Sequence, residues 1–320
     1  MEALMRVEVS ARWQLAEGTA GYELAASNGS ALPPFEAGSH IDVHLPGGLV
    51  RQYSLHDLPS DPARYRIGVL REPQSRGGSA TLVDDVKVGD ELDISVPRNH
   101  FTLDRSAGRS ILLAGGIGIT PILCMAEQLA QEGREFELHY CGRTIGRMAF
   151  IERLQASSYA GDVHIHVDDG PKEQVLDAAA VIGPANPETH LYVCGPAGFM
   201  DHVLKTARDL GWKEAQLHRE YFAATPIDHS ADGSFEVELK SSGSVVTVDA
   251  GKSAAEALRD SGIAIAVSCE QGVCGTCVTR VLAGLPDHRD LYLTDAEHAQ
   301  NDCFTPCCSR ARTPRLVLDL

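Results

Sequence analysis

The residues best suited to chemistry are cysteines, and they are concentrated at one end of the chain. Six of the nine cysteines lie in the last 52 of 320 residues: Cys269, Cys274, Cys277, Cys303, Cys307 and Cys308. The spacing C-x4-C-x2-C at the first three, followed by a distant cysteine, is typical of a plant-type [2Fe–2S] site. Two irons bridged by two sulfides need four thiolates, here from one tight loop and one remote segment. Gly272 and Gly275 would let the loop curl around the cluster and direct backbone N–H groups at its sulfurs.

Zinc is the alternative ion, because thiolates also bind zinc. Structural zinc sites usually combine two short C-x2–4-C pairs, however, and only one such pair is present. The fourth thiolate of an iron–sulfur site must come from Cys303, Cys307 or Cys308. Cys307 and Cys308 would point to opposite sides if their segment is a strand. A disulfide framework is not expected, because the N-terminus has no secretory signal pattern.

The elements that must position these groups change in character along the chain. Up to about Arg105 the sequence contains short alternating runs, such as 36–45, 65–70 and 91–96, separated by glycine-rich and proline-rich turns. This spacing is typical of an antiparallel β-barrel or sandwich.

A parallel-sheet pattern follows. Ser110–Ala114 is a continuous apolar run, as expected of a strand buried on both faces. The glycine-rich turn Gly115–Pro121 leads into a helical period over Ile122–Gly133. Pro121, just before this period, fits the first position of a helix. With the next strand at Phe136–Cys141, this order indicates a βαβ unit. A second set is predicted as a strand, a helix, a strand and a helix: Val163–Val167, Gln174–Ile182, His190–Cys194 and a segment to about Leu210.

The last part of the chain is predicted to be a separate domain. Residues 225–233 are polar and turn-rich, which indicates a linker. Two alternating runs, 235–240 and 245–249, predict a hairpin. A short helix is predicted over Ser253–Ser261, with Ser253 and Glu256 forming a capping box.

Two motifs in the first part resemble the flavin site of the ferredoxin–NADP reductase superfamily. Arg51-Gln52-Tyr53-Ser54 matches its R-x-Y-S motif. The resemblance implies that Arg51 pairs with a flavin phosphate, that Tyr53 stacks on the isoalloxazine, and that Ser54 hydrogen-bonds near N5, the hydride acceptor. The stretch 76–79 resembles the second phosphate-binding stretch, ahead of a helix predicted over Ser79–Val83. The implied flavin contacts are Arg51, Gln52, Tyr53, Ser54, Val69, Leu70, Arg71, Gly77, Gly78 and Ser79.

The nicotinamide site is also implied by this resemblance. The turn at 115–121 is not the G-x-G-x-x-G fingerprint, since Pro121 replaces the third glycine, but it matches the superfamily's G-G-x-G-x-T-P turn. Cys194-Gly195-Pro196 matches its C-G-P motif at a strand end. Phe222 is expected to cover the flavin face and yield to nicotinamide, or else to plug the space between domains. The implied contacts are Gly115, Gly116, Gly118, Thr120, Pro121, Cys194, Gly195, Pro196 and Phe222, with Ser54, Thr120 and Phe222 at the reacting atoms.

The order of these parts is similar, over essentially the whole chain, to the phthalate dioxygenase reductase family, which includes vanillate O-demethylase reductases. The family's closing C-x-S-R pattern, matched at 307–310, selects Cys307 as the fourth ligand beside Cys269, Cys274 and Cys277. The implied fold is multidomain α+β and α/β. Its segments are an FMN-binding antiparallel β-barrel at 1–105, a parallel-sheet NAD(P)H-binding domain at 106–225, a linker at 226–234 and a β-grasp-type [2Fe–2S] ferredoxin domain at 235–320.

The choice of nucleotides rests on the family and not on particular residues. FMN is implied in place of FAD, because relatives that use FAD usually carry the ferredoxin domain at the other end. NADH is expected on the same grounds. NADPH stays possible, because Arg143 or Arg147 could bind a 2′-phosphate.

This organisation predicts a reductase that moves electrons from NADH through FMN and a [2Fe–2S] cluster to a partner oxygenase with a Rieske centre. The alternatives are a reductase for a cytochrome P450 or another non-Rieske acceptor, and a flavin and iron–sulfur redox sensor. The net charge of −16 disfavours nucleic acid and anionic membranes as partners, and no apolar stretch approaches a membrane span. We expect a cytoplasmic monomer. His164 and His166 share a strand face and could bind a metal, but we interpret them as ordinary strand positions.

Overall fold

The protein is described by a computed structural model that covers residues 4–58, 63–72, 77–222 and 232–320. By its internal contacts the chain divides into two compact units, Met1–Phe222 and Ala223–Leu320. Arg76 and most of the predicted linker at 226–234 lie outside the described residues. Within the described ranges, no helix combines the length and the apolar composition needed to cross a bilayer.

The first unit begins with a seven-stranded antiparallel sheet and one short helix. Its elements are β1 (Met5–Ala16), β2 (Thr19–Ala26), β3 (Ser39–Leu45), β4 (Leu49–Ser54), β5 (Arg64–Leu70), α1 (Gly78–Asp84), β6 (Glu91–Ile94) and β7 (Arg98–Asn99). The strand order is β4-β3-β6-β1-β2-β5, with β7 beside β3. A bridge between Leu55 and Ile67 joins the end of β4 back to β5, so the sheet closes on itself. The barrel prediction is confirmed, and its alternating runs correspond to β3, β5 and β6.

The barrel forms because its strands alternate between the core and solvent. In β1, Val7 and Val9 are buried while Glu8 and Ser10 are exposed. Strand β1 was not singled out from the sequence, although it carries the same two-residue period as the runs that were.

The second part of the first unit is a five-stranded parallel sheet. Its elements are β8 (Arg109–Gly115), α2 (Ile119–Gln131), β9 (Glu135–Gly142), α3 (Ile151–Gln155), β10 (Val163–Val167), α4 (Ala178–Ile182), β11 (Thr189–Cys194), α5 (Ala197–Asp209) and β12 (Leu217–Glu220). The strand order is β10-β9-β8-β11-β12. The chain therefore builds outward from β8 on one side, and then crosses to β11 on the other. Ligands bind α/β sheets at such a reversal, outside the carboxyl ends of the strands.

Two helix starts differ from the sequence interpretation. Pro121 is the third residue of α2 and not the first, because the helix already begins at Ile119. It still lies in the first turn, where a missing N–H costs no intrahelical bond. The helix predicted over Gln174–Ile182 is confined to α4, because Asp177 accepts a hydrogen bond from the N–H of Ala180 at 3.1 Å and starts the helix there.

The second unit is a small mixed sheet with two short helices. Its elements are β13 (Phe235–Leu239), β14 (Val245–Val248), α6 (Ala254–Asp260), β15 (Thr279–Ala283), β16 (Pro286–Asp287), α7 (Asp295–Gln300), β17 (Cys303–Phe304), β18 (Arg310–Ala311) and β19 (Arg315–Leu318). The sheet order is β14-β13-β19-β15-β17, and β16 pairs with β18. The hairpin is formed by β13 and β14, and the capping box of Ser253 and Glu256 opens α6.

A buried ion pair fastens the start of the described second unit to β18. The side chains of Asp232 and Arg310 are only 2% and 5% exposed, and they lie 3.4 Å apart. Arg310 also donates to the carbonyls of Gly233 and Lys252, each at 2.7 Å. Arg289 binds the same carboxylate through two hydrogen bonds, at 2.7 and 3.1 Å. Asp232 is therefore a carboxylate shared by two guanidinium groups, and it is the one that pairs with Arg310.

Replacing Asp232 with Asn should lower the free energy of unfolding by about 3–5 kcal/mol, because Arg310 would be left buried without a counter-charge. Chemical unfolding of the holoprotein measures this loss. The matched control is Glu236→Gln, which removes a carboxylate that pairs with Arg315 on the surface. The control should lose at most about 1 kcal/mol. Equal losses in the two variants would contradict the role given to Asp232.

Candidate functional site

The four predicted cluster ligands lie together in the second unit. Cys269, Cys274 and Cys277 belong to the loop between α6 and β15, and Cys307 belongs to the turn between β17 and β18. All four side chains are buried. Cys269 contacts Cys274 and Cys307, and Cys307 contacts Cys277. The thiols therefore meet as neighbouring pairs, which suits two irons with two thiolates each.

The loop that carries three of these cysteines curls as a cluster would require. Gly272 and Gly275 have φ angles of 73° and 71°, in the region that favours glycine. A Cβ at Gly275 would lie 2.2 Å from the ring of Tyr292, so no larger residue fits there. The N–H groups of Gln271 and Val273 point at the sulfur of Cys269, at 3.3 and 3.5 Å. The residues present thus fit a [2Fe–2S] cluster.

The other two cysteines of this region have different surroundings. Cys303 lies in β17, opposite Arg280 of β15. The segment 306–308 is a turn and not a strand, so the condition under which strand alternation would separate Cys308 from Cys307 is not met. Cys308 contacts Cys307, but its sulfur lies 3.3 Å from the hydroxyl of Thr305. Of the three candidates for the fourth ligand, Cys307 is the one that contacts both Cys269 and Cys277.

Arg51 lies beside the glycines of the second predicted phosphate-binding stretch. A Cβ at Gly78 would lie 2.4 Å from Cγ and 2.5 Å from Nε of Arg51. Gly78 begins α1, and Gly77 before it has a φ of 95°. The arginine can therefore lie across the first turn of α1 only because no side chain stands there. A guanidinium next to first-turn N–H groups, which have no intrahelical acceptor, fits a phosphate.

The rest of the R-x-Y-S motif lies along β4, which is paired with β3. Gln52 donates to the carboxylate of Asp42 at 3.0 Å, so its amide is held within the barrel. Tyr53 is half-buried, and burial raises the pKa of its hydroxyl well above the ordinary range. The ring of Tyr53 is therefore a neutral, partly accessible aromatic surface, as stacking on a flavin would need.

The remaining predicted flavin contacts could reach a cofactor mainly through their backbone. Val69 is wholly buried in the barrel core, and Leu70 is the half-buried last residue of β5. The guanidinium of Arg71 pairs with Asp84 at 2.8 Å. The hydroxyl of Ser79 accepts a hydrogen bond from the N–H of Glu72 at 3.2 Å.

The glycine turn after β8 and the C-G-P turn after β11 touch backbone to backbone. A Cβ at Gly118 would lie 2.3 Å from the carbonyl oxygen of Cys194 and 2.7 Å from the nitrogen of Gly195. A Cβ at Gly195 would lie 2.9 Å from Cα of Gly115, and one at Gly115 would lie 3.0 Å from the ring of Pro196. Both turns stand where the strand order reverses, so this crevice fits a nicotinamide nucleotide.

Thr120 connects this turn to the barrel. It is buried, and its hydroxyl donates to the carbonyl of Ile117 at 3.1 Å. Its methyl group faces β5, where a Cβ at Gly68 would lie 3.0 Å away. Gly116, with a φ of 55°, begins the turn. Thr120 therefore supports the turn, and its predicted place at the reacting atoms stays a prediction.

A carboxyl that is only 13% exposed, and that the sequence interpretation did not assign, lies between the two sheets. Glu220, at the end of β12, pairs in register with Cys194. It accepts a hydrogen bond from the hydroxyl of Ser54 at 3.2 Å, and its other oxygen lies 3.9 Å from Nδ1 of His40. Burial raises the pKa of Glu220 to about 8, although the bond from Ser54 opposes the shift. At neutral pH this carboxyl therefore holds a proton.

Glu220 brings together Ser54 from the barrel and Cys194 from the parallel sheet. Burial, with a smaller contribution from Glu220, raises the pKa of the Cys194 thiol, so Cys194 is neutral. The only sequence signal for Glu220 was its place two residues before Phe222. Phe222 itself is 39% exposed and is the last described residue before 223–231, so its contact with a flavin stays a prediction.

Two protein-family models match the parts of the chain that carry these candidate sites. Residues 237–312 match the 2Fe-2S iron-sulfur cluster binding domain, and residues 112–205 match the oxidoreductase NAD-binding domain. The chain is 53% identical over 317 residues to a vanillate O-demethylase oxidoreductase of a Pseudomonas species, covering 99% of this chain and 100% of the relative. It is 39% identical over 322 residues to phthalate dioxygenase reductase of Burkholderia cepacia, covering 100% and 98%.

Solved structures give the same result. A phthalate dioxygenase reductase structure, described as modular for electron transfer from pyridine nucleotides to [2Fe–2S], superposes with a TM-score of 0.78 at 39% identity, covering 99% of this chain and 98% of the other. An intact type IV self-sufficient cytochrome P450 monooxygenase superposes with a TM-score of 0.86 at 37% identity. This match covers 99% of the present chain but only 41% of the P450 protein. The chain is a member of the phthalate dioxygenase reductase family, oxidoreductases that join an NAD-binding domain to a [2Fe–2S] domain.

Proposed function

We propose that this chain is the reductase component of a Rieske-type oxygenase, that it moves electrons from NADH through FMN and its [2Fe–2S] cluster, and that the partner oxygenase acts on vanillate. The observation that carries the proposal is the similarity to vanillate O-demethylase oxidoreductases over essentially the full length of both chains. Because a relative at 39% identity is named as the reductase subunit of a phthalate 4,5-dioxygenase, the substrate would bind to the partner oxygenase. We also propose that the protein acts as a monomer in the cytoplasm.

The protein's contribution is to bind and orient the cofactors. The flavin would supply the conversion of a two-electron hydride donor into a one-electron source. Arg51 and the first turn of α1 would hold one terminal phosphate, and FMN has such a phosphate. The turns at Gly118 and Gly195 would seat the nicotinamide nucleotide at the strand-order reversal.

The protonation state of Glu220 would set the charge beside the place where hydride is transferred. Ser54 donates to this carboxyl, and burial keeps the carboxyl protonated at neutral pH. A neutral acid beside a neutral thiol keeps negative charge away from the hydride path. In the second unit, N–H groups aimed at Cys269 would stabilise the charge that the cluster accepts.

A cytochrome P450 is the second candidate partner, because a P450 protein contains a part that this chain matches at 37% identity over 99% of its length. The two partners can be separated by reconstitution. Anaerobic NADH should bleach both the flavin and the iron–sulfur absorbance, and chromatography of the released flavin should identify FMN. The reductase should then support NADH-dependent consumption of vanillate with the oxygenase component of a vanillate O-demethylase, but should not reduce a P450 at a comparable rate. Reduction of the P450 alone would replace the proposed partner, and bands untouched by NADH and by NADPH would favour a redox sensor.

Replacing Cys307 with Ser should abolish the cluster, while Cys308→Ser should retain it, because only Cys307 contacts both Cys269 and Cys277. Iron and acid-labile sulfide content, together with the visible spectrum, measure the difference. The two variants are matched controls for each other, since they make the same change in adjacent residues. The reverse result would assign the fourth ligand to Cys308.

Replacing Arg51 with Ala should weaken flavin binding by roughly 10- to 100-fold, because a charge-assisted hydrogen bond to phosphate contributes about 1.5–3 kcal/mol. The measurement is the flavin dissociation constant after removal and titration of flavin. Arg105→Ala is the control, since Arg105 is 73% exposed and pairs only loosely with Glu36, at 3.6 Å. An unchanged constant for Arg51→Ala would exclude the phosphate role.

Glu220→Gln should remove a pH dependence of stability. The folded-state pKa of Glu220, about 8, lies above its ordinary value of 4.5, so the folded chain keeps a proton that the unfolded chain has released. The stability from this proton is fully present below about pH 4.5 and is lost as pH rises through 8. The variant cannot ionise, so its free energy of unfolding should gain on the wild type by on the order of 4 kcal/mol between pH 5 and pH 9.

Urea unfolding of the two proteins across this pH range measures that gain. The control is Glu214→Gln, because Glu214 is exposed and Arg208 lowers its pKa, so it titrates below this window. A constant difference between wild type and Glu220→Gln would show that Glu220 ionises at an ordinary pH.

A further inference from the structure

Three histidines and one glutamate share one face of the parallel sheet, at its β10 edge. Glu137 and His139 are alternate residues of β9, and His164 and His166 are alternate residues of β10, so each pair shares a face. His164 lies directly opposite His139 in the register of the two strands. The ring centre of His139 is 4.7 Å from that of His164 and 5.3 Å from that of His166. These groups are separate from the residues assigned to the flavin, the nicotinamide nucleotide and the cluster.

Three of these side chains have the spacing of metal ligands. Oε2 of Glu137 lies 3.5 Å from Nε2 of His139. One ligand atom from each of Glu137, His139 and His164 lies within 4.8 Å of the other two. Tetrahedral zinc, with bonds of about 2.0–2.2 Å, separates its ligand atoms by roughly 3.4 Å. The Glu137–His139 pair already has that separation, and His164 is exposed, so a rotation of its side chain can complete the set.

The fourth side chain, His166, orients the central ligand. Its Nε2 lies 3.1 Å from Nδ1 of His139. One nitrogen of this pair donates and the other accepts, so the contact fixes the orientation of the His139 ring. When Nδ1 of His139 is the donor, its Nε2 keeps the lone pair that a metal ion requires. That Nε2 faces Oε2 of Glu137 at 3.5 Å.

The glutamate is also held in place, by a group outside the cluster. Arg109 binds the other oxygen, Oε1 of Glu137, at 2.6 Å, which leaves Oε2 for the cluster. The ring of His139 is buried, and its Nε2 faces Oε2 of this carboxylate. Outer partners that fix the orientation of the ligands are a general feature of metal sites.

We propose that Glu137, His139 and His164 bind a divalent transition-metal ion of the zinc class, with His166 and Arg109 orienting two of the ligands. Two imidazoles and one carboxylate suit zinc better than magnesium or calcium, which prefer oxygen ligands. Water would complete the coordination, because His164 and Glu137 are open to solvent. The ion would join the edge strand β10 to β9. The strand positions of His164 and His166 thus differ in role, one as a ligand and the other as an orienting residue.

The test is calorimetric titration of untagged holoprotein with zinc chloride, with the visible spectrum recorded to show that the iron–sulfur cluster stays intact. Wild type should bind one zinc ion per chain at the site. His164→Gln should weaken that binding at least tenfold, and because His164 is exposed this variant should fold. Glu137→Gln should weaken it similarly. The matched control is His202→Gln, which removes an exposed histidine of α5 and should leave the affinity unchanged.

Each other outcome overturns the proposal. Absence of zinc binding to the wild type would show that the cluster is only a stacked histidine group. Equal affinity in wild type and His164→Gln would place the bound zinc elsewhere, for example on cysteine thiols. Equal losses in His164→Gln and His202→Gln would indicate unspecific binding to surface histidines.

Discussion

The organisation of the first unit depends on how closely two turns approach each other at the strand-order reversal. The chain after β8 and the chain after β11 meet with no side chain between them, since a Cβ at Gly118 would overlap the carbonyl of Cys194. That contact places the start of α2 and the C-G-P turn side by side on one surface. This surface packs against the barrel, because Thr120 contacts β5 and Glu220 accepts a hydrogen bond from Ser54 of β4. One steric constraint therefore aligns the nucleotide crevice with the strand that carries the R-x-Y-S motif.

The second unit holds four thiols close together beside a small hydrophobic core. Its loop from Cys269 to Cys277 has little regular structure, and two glycines in left-handed conformations shape it. Around the loop, hydrogen bonds and ion pairs of side chains connect the neighbouring segments, which form only short strands. Arg310 binds two segments that are distant from it in sequence, one at Asp232 and Gly233 and the other at Lys252. The arginine of the closing C-x-S-R pattern thus has a structural task of its own, beside the ligand that the pattern marks.

Much of this could be predicted from the sequence, because the relevant signals are local. Cysteine spacing, glycine turns and apolar periods each report on a few neighbouring residues, and they predicted the three-part fold and the cluster loop. Glu220 could not be recognised in the same way, since its burial depends on a barrel strand 166 residues away. His139 was missed for a similar reason, because its partners His164 and His166 become neighbours only through strand pairing. The direction of Cys308 could not be predicted either, because the sequence left open whether its segment is a strand, and the structure shows a turn.

The attachment of Asp232 has a mechanical consequence. Asp232 is bound to Arg310, which lies three residues after the cluster ligand Cys307. Asp232 and a cluster ligand are therefore connected through one ion pair and three residues of chain. A force applied to the chain at Asp232 would be transmitted through Arg310, so it would move the four cysteines together with their domain and would not change the distances between them.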